Sequence, residues 1–193
     1  MLFLRETMST NLKHIIINFL VTLAAVSLAM TVSANDRKMT RQEVLNTFQQ
    51  YITLNDDFLS SVKTGKGNSG KSYKDLRKEV EDYADGPFHN ALSSAEEITC
   101  DKGDKAVMSS LFKVIISTSN SADESPAWTL GGIYVCQPSL VEKEIARLNS
   151  EDRKQIYDSL EFGFENVATT KPNDDKRILE LRRRLSALAQ SKR

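Results

Sequence analysis

The sequence predicts an all-α protein, about seven or eight short amphipathic helices in a bundle or a short stack of helical hairpins, held by one disulfide. Three observations carry this. Apolar residues recur at three-to-four spacing in one segment after another, and no stretch alternates with the period of two that a half-buried strand needs. Glycine and proline number only 8 and 4 in 193 residues, too few for a strand-and-turn architecture. From about residue 88 onward the helices come in pairs with short connections, yet no sequence repeat marks a solenoid.

Thr40-Arg41-Gln42-Glu43 opens the first helix as a capping box. Val44, Phe48, Tyr51/Ile52, Phe58/Leu59 and Val62 then form its stripe, which Asn55-Asp56-Asp57 interrupts. Gly65 to Gly70 is a flexible break. A second helix fits 73–85 through Leu76, Val80 and Tyr83, with Gly86-Pro87 as its stop, and a third fits 88–99. Asp104 is placed to cap a helix over 105–118. There Leu111 to Ile116 also reads as a buried strand, but apolar positions begin earlier, at Val107 and Met108, which favours helix.

Ser125-Pro126 is a start signal, Ser at the cap and Pro at the first helical position. The helix that follows carries Trp128, Tyr134 and Cys136, with Gly131-Gly132 marking close packing or a kink. Gln137-Pro138 ends it, and Ser139–Leu148 is a shorter helix. Ser150-Glu151-Asp152 caps the next, to about Val167, with the stripe Ile156/Tyr157, Leu160, Phe164 and Val167. Asp174 or Asp175 opens a last helix through Ala189 along the seam Ile178, Leu181, Leu185 and Leu188.

Before all of these lies an uncharged run from Ile15 to Met30, preceded by Arg5 and Lys13 and closed by Val32-Ser33-Ala34. That order predicts a cleavable export signal over residues 1–34, cut between Ala34 and Asn35, and a single mature domain over 35–193. The run is short for a membrane span and is diluted by Asn18, Thr22 and Ser27, and no later segment is apolar enough to span. Removing the segment takes away two cations and one acid from a chain balanced at 26 of each, leaving a net charge of −1. Such balance argues against a nucleic-acid binder. In the oxidising setting that export implies, Cys100 and Cys136 are expected to pair, a bridge worth roughly 4 kcal/mol on the chain-entropy account.

Gly65-Lys66-Gly67-Asn68-Ser69-Gly70-Lys71-Ser72 satisfies the phosphate-loop pattern, in which Gly65 and Gly70 would open the backbone to phosphates, Lys71 would reach them and Ser72 would hold magnesium. The context is wrong: the segment follows an amphipathic helix rather than a buried strand, so an ordinary loop is expected. His89 is the only histidine after residue 34, which precludes a His-x-x-His or His-Glu-x-x-His metal site. The acid pairs Asp56-Asp57, Glu96-Glu97, Asp123-Glu124, Glu151-Asp152 and Asp174-Asp175 mostly fall at helix starts, where capping explains them. The cations Lys176-Arg177, Arg182-Arg183-Arg184 and Lys192-Arg193 suit the last helix as ordinary surface, favoured at its C-terminal dipole end, or as a binding face for an acidic partner or a membrane surface.

No catalytic, metal or cofactor set emerges. The expectation is an exported helical protein that binds another protein, of inhibitor, immunity, adaptor or accessory type. The alternative is a hydrolase whose carboxylates are assembled by the fold.

Overall fold

A computed structural model describes residues 38–119, 121–172 and 175–190. The export segment and its cleavage position lie outside them, as does Asp174. Eight α-helices make up the described residues: α1 (Arg41–Thr64), α2 (Tyr73–Tyr83), α3 (His89–Lys102), α4 (Lys105–Ser117), α5 (Ser125–Cys136), α6 (Pro138–Ile145), α7 (Ser150–Thr169) and α8 (Lys176–Gln190). No strand accompanies them; Lys66 and Ser72 form one isolated bridge. The chain is all-α, as its periodicity predicts.

The capping box of α1 forms in full: Thr40 accepts from the Glu43 amide at 3.3 Å, while the Glu43 carboxylate accepts from the Thr40 amide at 2.7 Å. Asn55 leaves α1 unbroken, because its buried amide reaches across to the Ser117 carbonyl at 3.2 Å. Gly86-Pro87 does not stop the second helix. The chain passes through a π-helical turn, Ala84–Phe88, straight into α3. Pro87 lacks an amide and would break an α-helical ladder, and the wider turn accommodates it while carrying Phe88 into the core. Phe88 stacks on Tyr51 at 3.7 Å between ring centroids and meets Phe48 edge-on at 5.9 Å.

Gly103, at φ 62°, ends α3 in the left-handed region, and Asp104 then caps α4 by accepting from Ala106 and Val107. Two predicted caps move by one residue. Glu124 precedes α5, with Ser125 already helical and its amide held by Asp123 at 3.0 Å. Asn149, not Ser150, caps α7 by accepting from Glu151 and Asp152. Asp175 does the same for α8 through Arg177 and Ile178.

The odd-numbered helices pack in a row, α1 on α3, α3 on α5 and α5 on α7, while α4 lies against α1, α3, α5, α6 and α7. That position explains α4's composition: Val107, Met108, Leu111, Phe112, Val114 and Ile115 are all buried, and a helix apolar over most of its circumference belongs inside. One continuous apolar cluster draws on α1 and on α3 through α8. Cys100, near the end of α3, is bonded to Cys136 at the end of α5, with Cα atoms 5.5 Å apart. Beside the bridge Gln137 donates to the Cys100 carbonyl at 2.8 Å.

The tightest packing lies between α5 and α7. A Cβ on Gly163 would overlap the Ala127 carbonyl, and one on Gly131 would overlap the Gly163 backbone. Gly131-Gly132 therefore marks close packing rather than a kink. A Cβ on Gly132 would strike the Glu96 carboxylate, which lies half-buried over α5 and whose pKa burial raises above the ordinary carboxyl value.

Candidate functional site

The described residues between α4 and α5, 118–119 and 121–124, are held from several sides. α4 ends with exposed carbonyls that an α-helix cannot satisfy internally. Gln155 on α7 donates to the Ile115 and Ile116 carbonyls at 2.9 and 3.1 Å, and Asn55 on α1 serves Ser117. Thr118 turns back to Val114 at 2.8 Å, and the Ser121 amide donates to the Thr118 carbonyl at 2.8 Å. Beneath the segment the Tyr51 hydroxyl is pushed up to about 12, by burial first and then by the Asp123 carboxylate.

This segment separates two clefts. One, of about 340 Å³, lies between α1 and α2 and is lined by Phe58, Leu59, Tyr73 and Val80 among others. The second, of about 270 Å³, opens between the segment, the start of α5 and the middle of α7. Its apolar lining is Ile115, Pro126, Ala127 and Phe162; its carboxylates are Asp123, Glu124 and Asp158. Asp158 pairs with Lys154 at 2.9 Å, and Asp123 holds the Ser125 amide, so of these three carboxylates only that of Glu124 is not engaged by another described residue. Phe162 is 46 % exposed and Trp128, on the neighbouring helix, 42 %. Both border the α5–α7 crossing: Phe162 precedes Gly163, which rests on Ala127, and Trp128 follows it. Trp128 is thus not a core residue, whereas Tyr134 on the same helix is fully buried.

The phosphate-loop look-alike is an ordered loop. Gly65 and Gly70 adopt φ of 82° and 81°, which only glycine takes without strain. The Ser69 amide donates to Asp57 of α1 at 3.1 Å, and its hydroxyl donates to the same carboxylate at 2.5 Å. These bonds, the hydroxyl first, hold the Asp57 carboxyl below its usual value. Lys71 turns to Glu79 at 2.5 Å and Ser72 caps α2. Ser69, Lys71 and Ser72 of the loop are engaged with the chain's own carboxylates, Asp57, Glu79 and Asp75.

His89 is exposed at the first turn of α3. Among the described residues no group of three or more His, Cys, Asp or Glu could hold a metal ion, and no helix is long and apolar enough to cross a membrane. Cys100 and Cys136, predicted as partners, are brought together; Lys71 and Ser72 are not turned to a common ligand. Phe162 and Glu142 went unrecognised in the sequence, and Asp57 was read there only as one of an acid pair that interrupts the α1 stripe, not as the holder of Ser69. Phe162 alone carried a signal, standing off the apolar stripe of its helix.

The arginines of α8 mostly face the body. Arg184 forks onto Glu142 at 2.9 and 2.5 Å, and Glu142 also accepts from the buried Tyr134 hydroxyl at 3.1 Å. Arg177 donates to the Val135 carbonyl, and Arg182 forks onto Glu165 at 2.8 and 2.7 Å. The Arg182 hydrogen bond, ahead of the opposing desolvation, lowers the Glu165 pKa. Its contribution is therefore complete above the ordinary value of 4.5 and is lost as pH falls through the lowered folded value. Both side chains are nearly half exposed, so the pair is worth only about 0.5 kcal/mol. Glu165→Gln is expected to lower Tm at pH 7 by about 1–2 °C. That difference should shrink in thermal melts as the pH is taken progressively below 4.5; a pH-independent difference would assign the effect to packing.

Comparison with family models, with curated proteins and with solved structures finds no match for this chain.

Proposed function

We propose that this chain is an exported, non-enzymatic binding protein of inhibitor, immunity, adaptor or accessory type, and that its protein partner docks at the α5–α7 crossing. The observation that carries the reading is the pair of exposed aromatics there, Trp128 and Phe162. Large aromatics left in water at a cleft edge give little to folding and much to association, and Trp in particular dominates interface energies. Export is supported by the uncharged run Ile15–Met30 with its Val32-Ser33-Ala34 close and by the Cys100–Cys136 bridge, a bond that persists in oxidising compartments.

The test is site-specific photocrosslinking. A benzophenone amino acid at position 128 or 162, expressed in the native host, should give one recurrent crosslinked protein, and the same label at exposed Val62 should not. N-terminal sequencing of the same preparation should begin at Asn35. Recurrent absence of any partner at both positions overturns the binding reading.

The hydrolase alternative draws on the three carboxylates lining the same cleft. Two of them already serve the fold, Asp123 on an amide and Asp158 on Lys154, which weighs against a catalytic pair.

A further inference from the structure

We infer that the cleft between residues 118–119 and 121–124, α5 and α7 receives a cationic segment of the partner, one apolar side chain flanked by Lys or Arg. The inference rests on the binding reading above and adds the chemistry of what is bound.

The argument begins with size. At about 270 Å³ the cleft lies just under the range of roughly 300–1,000 Å³ that holds small organic ligands. It has room for a side chain or two. Its apolar lining, Ile115, Pro126, Ala127 and the exposed ring of Phe162, suits an aliphatic or aromatic anchor, for which removal from water is the attraction. Burial of such an anchor also covers the ring edge that now faces solvent.

Charge then selects the flanks of that anchor. Three carboxylates, Asp123, Glu124 and Asp158, line the cleft, and none of its described lining residues is a cation; Lys154 reaches it only through its pair with Asp158. The local balance is negative although the whole sequence is neutral. An anionic segment would meet repulsion at all three acids, whereas Lys or Arg on either side of the anchor meets complementary charge. Such complementarity sets selectivity and association rate more than raw affinity, and it is screened within about 10 Å at 0.1 M salt.

The position of the acids is fixed by the fold and not by loop freedom. Asp123 is tied to the Ser125 amide, Glu124 stands at the N-cap of α5, and Asp158 projects from the middle of α7. The segment carrying the first two is pinned by Gln155 and Asn55 through the end of α4. The site is preformed, so a peptide can test it without the rest of the partner.

The experiment uses the mature chain and two fluorescein-labelled nonapeptides, one with leucine between lysines and arginines and one with glutamate at every cationic position. Fluorescence anisotropy at 50 mM salt should show saturable binding of the first only, weakened at least tenfold at 300 mM. Phe162→Ser should weaken it at least fivefold, and Glu124→Gln with Asp158→Asn should do the same and flatten the salt dependence. Leu179→Ala, on α8, should leave it unchanged, and circular dichroism melts of each variant exclude unfolding. Equal binding of the acidic peptide, or undiminished binding by either cleft variant, overturns the inference. If the photocrosslinks form while the cationic peptide fails, the binding reading stands and this inference falls. If the peptide binds selectively and no partner is ever crosslinked, the reverse holds.

Discussion

Removal of the Cys100–Cys136 bridge, by Cys100→Ser with Cys136→Ser, is expected to cost about 3–4 kcal/mol and to lower Tm by about 10 °C. The bridge spans 36 positions of sequence, so the unfolded chain it constrains is large. It also fixes the end of α3 to the end of α5, two neighbours in the row of odd-numbered helices. The Gln137 bond to the Cys100 carbonyl survives the substitution, as does the surrounding apolar cluster, so the reduced protein should still fold. Urea titration with and without reductant measures the loss directly. Coincident midpoints would mean that the unfolded chain is already held compact between these positions.

Gly163→Ala is the second large effect, with an expected loss of about 3 kcal/mol. The added methyl would meet the Ala127 carbonyl, a backbone atom that no rotamer change can move. α5 and α7 would have to separate, and their contact is the closest in the molecule, with Gly131 opposite Gly163. Chemical denaturation of Gly163→Ala beside the parent protein should show a midpoint lowered in proportion to that loss. A Gly163→Ala protein as stable as the parent would show that the helices cross with more room than the contact implies. Because Phe162 and Trp128 flank this crossing, the same variant should also weaken partner binding, by displacing both aromatics.

Much of the fold was legible because helices announce themselves locally. The capping box at Thr40, the cap at Asp104 and the stripe of α7 rest on interactions within four residues of sequence. α4 was readable for a different reason: its apolar positions extend past the β-branched run and complete a helical circumference. Gly86-Pro87 misled because a proline penalty assumes an α-helical ladder, and the π turn removes that assumption by changing the register. The shifts at Ser125 and Ser150 have a simpler cause: Asp123 holds the Ser125 amide and draws Ser125 into the helix, and Asn149 takes the Glu151 and Asp152 amides one residue before Ser150.

The candidate site was much less legible. Asp123-Glu124 looked like capping acids, and Asp123 does cap; nothing local says that Asp158, on another helix, joins them around one cleft. Phe162 stands off its helix stripe, yet an exposed aromatic acquires meaning only beside Ala127 and Pro126 of α5. The phosphate-loop look-alike shows the converse. Its letters match a nucleotide motif, and a carboxylate twelve positions earlier, Asp57, takes its amide and hydroxyl.

The sequence by itself determined the all-α class, the helix spans to within a few residues and the partnership of the two cysteines, because periodicity, capping and cysteine number are local or countable. Only the tertiary structure decided that α5 and α7 touch through glycines, that Arg184 and Arg182 of α8 reach Glu142 and Glu165, and that Trp128 stays in water. Those outcomes depend on which helix faces meet. The free energy of burying a face depends on the shape opposite it, which no single segment encodes.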